Sequence, residues 1–260
     1  MSHTPRKRFG QNFLQDHSII HHIIASIGII AKQHLVEIGP GQGALTEPLL
    51  KHDIQLDIVE LDRDLVKLLE AKFEGNEKVT LHSADALRFD FSSLMTDDRK
   101  LRVIGNLPYN ISTPLLFHLL ENAACIEDMH FMLQKEVVDR LCAEPNSSHY
   151  GRLSIMMQYH CETELLLIVP PESFFPAPQV TSAVIRLIPH KTPPVQVNDI
   201  KLLNRVVTEA FCQRRKTLRN SLKKLIPEEI MLELGINPTL RAENISLAQF
   251  AQLSNYLSQN

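Results

Sequence analysis

The 260-residue chain is 44% apolar and 22% charged, with a formal net charge of −3; this balance excludes a disordered or fibrous chain and suits one large α/β domain with room for a small appendage. No run of eighteen apolar residues occurs, so no membrane-spanning helix is expected, and the basic start lacks the apolar stretch of a secretory signal. Four scattered cysteines form no C-x-x-C pair and twelve histidines form no H-E-x-x-H array, so a reducing, cytoplasmic location and no metal site are expected.

In chain order, residues 1–15 read as an extended arm carrying Arg6, Lys7 and Arg8 and then Gln11-Asn12-Phe13-Leu14. A helix should follow, with Ile19, Ile20, Ile23, Ile24 and Ile27 at helical spacing and Gly28 ending it. Short apolar runs at 35–38, 56–60, 79–82, 102–105 and 130–133 read as buried strands separated by helical patterns. One helix carries Leu65, Val66, Leu68, Leu69 and Phe73; another should start at Thr113 as N-cap with Pro114 behind it. Strand–helix alternation predicts a doubly wound, Rossmann-like parallel sheet. Two later runs, 165–169 and 183–188, are too close for a crossover helix and predict a closing antiparallel hairpin.

The composition changes after His190. Lys191-Thr192-Pro193-Pro194 reads as a linker, and the chain beyond it as helices at 199–211, 214–224, 227–234 and 247–257, the last with Ser246 and Gln249 as a capping box. The expected division is a main domain at 1–190 and a small all-helical domain at 191–260. Between Cys212 and Lys224 stand six Lys or Arg and no acid, which fits neutralisation of phosphates better than a solvated helix face.

The strand at 35–38 runs into Glu37-Ile38-Gly39-Pro40-Gly41-Gln42-Gly43-Ala44, glycines that let a backbone turn sharply against a ligand, followed by a helix from about Ala44. Glu60 ends the next strand 21 residues after Gly39, where a carboxylate can grip ribose hydroxyls. Gly39, Gly41 and Ala44 also satisfy the dinucleotide pattern, so the glycines leave NAD open. Glu37, suited to a sulfonium and an amino group, and Asp85, placed to bond an adenine amino group, favour S-adenosylmethionine; Asp85 also reads as a helix N-cap.

After the fourth strand comes Asn106-Leu107-Pro108-Tyr109. It resembles the motif of amino-group methyltransferases acting on nucleobases, in the form found in ribosomal RNA adenine dimethylation. The chemistry accounts for the residues. An adenine amino nitrogen has its lone pair delocalised into the ring. The Asn106 side chain and the Leu107 carbonyl, accepting its two N–H bonds, favour a tetrahedral nitrogen, while Pro108 stiffens the loop. Tyr109 offers a ring face to an extruded base. Phe174 or Phe175, in Ser173-Phe174-Phe175-Pro176-Ala177-Pro178, is expected to pack against that base from the other side, Phe174 being preferred of the two; a plain core role is the alternative.

On Lys7 to Leu14, the glycine loop, residues 60–64, Asn106 to Pro114, residues 134–138, residues 150–154 and residues 213–220, the chain resembles the family of bacterial small-subunit ribosomal RNA adenine N6,N6-dimethyltransferases nearly end to end. The resemblance implies dimethylation of two adjacent adenosines in the 3′-terminal hairpin loop of that RNA, on a late assembly intermediate; a monomer is the expected state, although the sequence itself does not fix it. By position it implies cofactor contacts from Asn12, Leu14, Gly39, Glu60, Asp85 and Asn106. It further implies that the basic helix, with Arg214, Arg215, Lys216 and Arg219, contacts the RNA. Phe175 departs from the small or polar residue expected before the prolines. Competing readings are an adenine methyltransferase on large-subunit ribosomal RNA or on DNA, and a non-catalytic ribosome assembly factor.

Overall fold

The computed structural model describes residues 11–259; Arg6, Lys7 and Arg8 of the expected arm lie outside them. The chain forms two compact units, Met1–Val138 with Glu164–Pro189 and Asp139–Thr163 with His190–Asn260. The chain crosses between the units at 138/139, 163/164 and 189/190, whereas the composition shift predicts a single boundary at 190/191. Tertiary packing, invisible in local composition, assigns residues 139–163 to the second unit.

In chain order the first unit contains β1 (Phe13–Leu14), α1 (His17–Ile27), β2 (Gln33–Ile38), α2 (Thr46–Leu49), β3 (Ile54–Glu60), α3 (Arg63–Lys72), β4 (Val79–Ser83), β5 (Leu101–Asn106), α4 (Ser112–Glu121) and β6 (Ile126–Gln134). Helix α5 (Lys135–Leu141) crosses out of it, α6 (Arg152–His160) lies in the second unit, and β7 (Cys161–Val169) crosses back before β8 (Phe174–Phe175) and β9 (Ser182–Pro189). Helix α1 forms because Ile20, Ile23 and Ile27 recur on one buried stripe, Asp16 caps its first N–H groups and Gly28 ends it. Each buried isoleucine contributes about 1.5–3 kcal/mol.

Seven strands form one sheet in the order β4-β3-β2-β5-β6-β9-β7. Pairing is parallel from β4 through β6 and antiparallel where β9 meets β6, the expected α/β, Rossmann-like arrangement closed by an antiparallel strand. The strand order reverses at β2, with β3 on one side and β5 on the other. A crevice opens outside the carboxyl ends of strands at such a reversal. Gly105 lets β5 lie close to β2, because a Cβ there would meet the Ile38 carbonyl oxygen at 2.5 Å.

Two local expectations are corrected. The helix after the glycine loop is only the four residues of α2, since Pro48 has no N–H to return to the Ala44 carbonyl and the chain enters through turns. Helix α4 starts before Thr113, with Ile111 as its N-cap and no side-chain cap bond; a proline fits the first turn, whose N–H groups have no intrahelical partner.

In the second unit α7 (Ile200–Phe211) is capped by Asp199 and buries Leu203, Val206, Val207 and Ala210. It packs against α6 and α10 (Leu247–Gln259), with α8 (Leu218–Ser221) and α9 (Glu228–Glu233) between them in the chain. The Ser246–Gln249 box forms, Ser246 N–H reaching Gln249 Oε1 at 2.9 Å. Of the basic helix expected at 214–224 only the four residues of α8 form: residues 212–215 are turns, 216 is a bend, and Thr217 is extended and bridged to Arg241. Consecutive cations with no acid among them give a helix no compensating side-chain pairs.

Candidate active site

Within the first unit the ends of β2, β3 and β5 open onto a cavity of about 860 Å³. One wall is the glycine loop. Gly39 and Gly41 have φ of 63° and 61°, and a Cβ at Gly41 would press on the Phe13 ring at 3.0 Å. The loop is held from behind by Lys72, which donates to the Gln42 carbonyl at 2.9 Å and forms an ion pair with Glu47.

The floor is acidic. Glu37 is 1% exposed and accepts the Thr46 hydroxyl at 2.6 Å. Burial pushes its carboxyl up to about 7; the Thr46 bond opposes this and the negative Glu60 adds to it. Glu60 is raised by burial too, against backbone N–H bonds that include Asp62 at 2.8 Å. Asp85 is not a helix cap: it sits in a turn, accepting the Leu87 N–H at 3.0 Å.

At the other end stands the loop after β5. The Asn106 amide Nδ2 donates to the Asn12 carbonyl at 3.2 Å, which fixes the carboxamide plane and leaves Oδ1 as the acceptor on offer. Leu107 N–H is taken by the Met132 carbonyl at 3.2 Å, and the Pro108 carbonyl accepts from Ile111 at 3.1 Å. Tyr109 is half-buried. Its hydroxyl is 2.7 Å from Ser182 Oγ, and burial raises its pKa.

Asn12, Leu14, Glu37, Gly39, Gly41, Glu60, Asp85, Asn106, Leu107 and Tyr109 thus line one cavity, although they come from five separate stretches of sequence. Phe174 does not join them. It is 5% exposed, pairs with Leu14 through the β1–β8 ladder and packs in the core beside Ile20 and Leu45, while Phe175 is 59% exposed. Strand alternation sends the two rings to opposite faces, and neither lines the cavity. The sequence reading also missed Thr46, Lys72 and Ser182. Each acts across a fold contact that no local pattern announces.

In the second unit Arg214, Arg215 and Lys216 stand exposed in the turn after α7, and among the described residues no carboxylate pairs with them. Arg219 differs: its guanidinium lies 3.6 Å from Glu228. Among the described residues no helix is long and apolar enough to cross a membrane, and no group of three or more His, Cys, Asp or Glu is placed to hold a metal ion.

The sequence model described as ribosomal RNA adenine dimethylase matches residues 2–259. The chain belongs to this family. It is 57% identical over 257 residues to the ribosomal RNA small subunit methyltransferase A of Pseudomonas aeruginosa, covering 99% of this chain and 96% of that one. To the protein of the same name from Pasteurella multocida it is 55% identical over 266 residues, covering 100% and 92%. Among solved structures, a dimethyladenosine transferase from Plasmodium falciparum shares the fold at a TM-score of 0.78 and 23% identity, over 93% of this chain and 95% of that one. The 23S rRNA methyltransferase ErmE superposes at 0.73 and 25% identity, over 95% and 100%. As a member of the family the chain is a methyltransferase, built on an α/β sheet of mostly parallel strands.

Proposed function

We propose that this chain transfers methyl groups from S-adenosylmethionine to the N6 amino groups of two adjacent adenosines in the 3′-terminal hairpin loop of small-subunit ribosomal RNA, on a late assembly intermediate. One observation carries the reading: a single cavity joins an acidic floor and a glycine loop to the Asn106–Tyr109 loop. The floor suits a cationic donor, since a buried carboxylate gains most from a positive ligand where water is excluded. S-adenosylmethionine, when bound, supplies a methyl group on an activated sulfonium. Glu60 is placed for ribose hydroxyls and Asp85 for an adenine amino group, while Gly39 and Gly41 keep the wall open to a nucleoside. Asn12 and Leu14 close it from the arm.

At the other end the chain's own work is positioning. Asn106 Oδ1 and the Leu107 carbonyl accept the two N–H bonds of the target amino group and turn its lone pair toward the donor. Tyr109 stacks on the extruded base. No strong base is needed, because the alkylated amino group sheds its proton readily. Arg214, Arg215 and Lys216, with Arg219 in a lesser role, neutralise RNA phosphates. The protein acts in the cytoplasm as a monomer.

The test is methyl transfer from labelled donor to three substrates, namely unmethylated small subunits, large-subunit RNA and duplex DNA, with the modified nucleotide mapped. Label confined to adjacent adenosines of the small-subunit RNA is the expected result. Label in large-subunit RNA or DNA, or none in any substrate, overturns the reading.

A further inference from the structure

Tyr109 is held at both ends. Its carbonyl accepts the Ser112 hydroxyl at 3.1 Å, and its own hydroxyl meets Ser182 Oγ at 2.7 Å. Ser112 and Ser182 are 2% and 0% exposed. Ser182 is itself fixed by the sheet: it opens β9, pairs in register with Gln134 at the end of β6, and follows Thr181, whose carbonyl accepts the Lys135 N–H at 2.9 Å. The Tyr109 hydroxyl thus reaches out of the cavity wall onto the sheet's antiparallel seam.

A tyrosine ring used only for stacking needs no partner for its hydroxyl, because every base offers a π-face to any aromatic ring. A ring that must stand at one tilt does. An O–H···O bond to a buried, sheet-anchored hydroxyl restrains the far end of the side chain, and a displacement of about 1 Å at a reacting centre costs as much as a hundredfold in rate.

We propose that Ser182 is a positioning residue of the methyl-transfer site: through its hydrogen bond it sets the tilt of the Tyr109 ring, and so the depth at which the target adenine presents its amino nitrogen to Asn106 and Leu107. The proposal rests on the adenine reading above. The segment from Ser173 to Ser182 then contributes to the target end through a hydroxyl at its close instead of a phenylalanine ring.

Ser182→Ala and Tyr109→Phe remove the same bond from opposite sides, the second leaving the buried strand untouched. Each should lower kcat about tenfold, the worth of one hydrogen bond felt in the transition state, with KM for the donor and RNA affinity within twofold of wild type. The double variant should be no slower than the slower single. RNA carrying 2-aminopurine in place of the target adenosine should fluoresce more brightly with either variant, because a loosened ring stacks less. Ser182→Thr, which keeps the hydroxyl, should restore both signals at least in part. Unchanged kcat in both single variants, losses that multiply in the double, or losses that follow the thermal midpoint with unchanged fluorescence would overturn the proposal. Absence of wild-type methylation of adenosine would instead refute the underlying reading.

Discussion

The cavity and the basic turn are both polar, but they are built oppositely. In the cavity each polar group that has been assigned a task has a partner: Glu37 has Thr46, Asn106 has the Asn12 carbonyl, Tyr109 has Ser182. In the turn Arg214, Arg215 and Lys216 stand exposed, with no acidic partner among the described residues. Partnered, buried groups have one geometry, so their removal is felt in the rate. Exposed cations have many geometries and act through their summed field, so their removal is felt in affinity and in its dependence on salt.

The sharpest way to break this contrast is Asn106→Ala. It should cut turnover by about a hundredfold to a thousandfold, the usual loss for one preorganised polar contact, while filter-binding affinity for RNA stays near wild type. An equal fall in both would erase the distinction. Glu37 tests the same region through stability. Its folded carboxyl is raised from 4.5 to about 7, so its contribution is fully present below about pH 4.5 and is lost as pH rises through 7; the ionised form strains the fold. The loss is of order 3 kcal/mol. Glu37→Gln, whose amide oxygen can still accept the Thr46 hydroxyl, should therefore gain stability relative to wild type between pH 5 and 8 in urea melts. A constant difference across that range would show that the carboxyl titrates normally.

The turn should answer differently. Replacing Arg214, Arg215 and Lys216 together with Ala should reduce the slope of log affinity against log salt by about 2–3, at roughly 0.7–0.9 per lost phosphate contact, with kcat at saturating RNA little changed. Arg219→Ala sits at the bottom of the series. Part of its charge already faces Glu228, so its slope change should be smaller than one-third of the triple variant's. A larger change would mean that the ion pair opens when RNA binds.

The two regions also differed in how far sequence revealed them. That Glu37, Gly39, Glu60, Asp85 and Asn106 would meet in one crevice was legible because each lies near or just beyond the carboxyl end of a predicted strand, and strand ends at a switch point converge whatever the loops do. The α1 stripe and its Gly28 end were legible from spacing alone. Phe174 was misplaced because strand register, not residue type, decides which face a side chain takes. The basic helix was misjudged because its extended residue, Thr217, is set by the bridge to Arg241, a contact 24 positions away. Ser182 and Thr46 carried no local signal, for a buried serine or threonine looks in sequence like any other.

The exchange of chain between the two units has a practical consequence for synthesis and for trimming. A ribosome emitting this chain releases β1 through β6 first, yet the sheet lacks its last strands until residue 189 has emerged, after a 25-residue excursion, Asp139–Thr163, that belongs elsewhere. That excursion buries Tyr150, Ile155 and Met157 in the second unit, whose remaining helices are made last. A fragment stopped at residue 190 would own a complete sheet and still carry an orphaned greasy helix, so the shorter protein should clump unless α6 goes too.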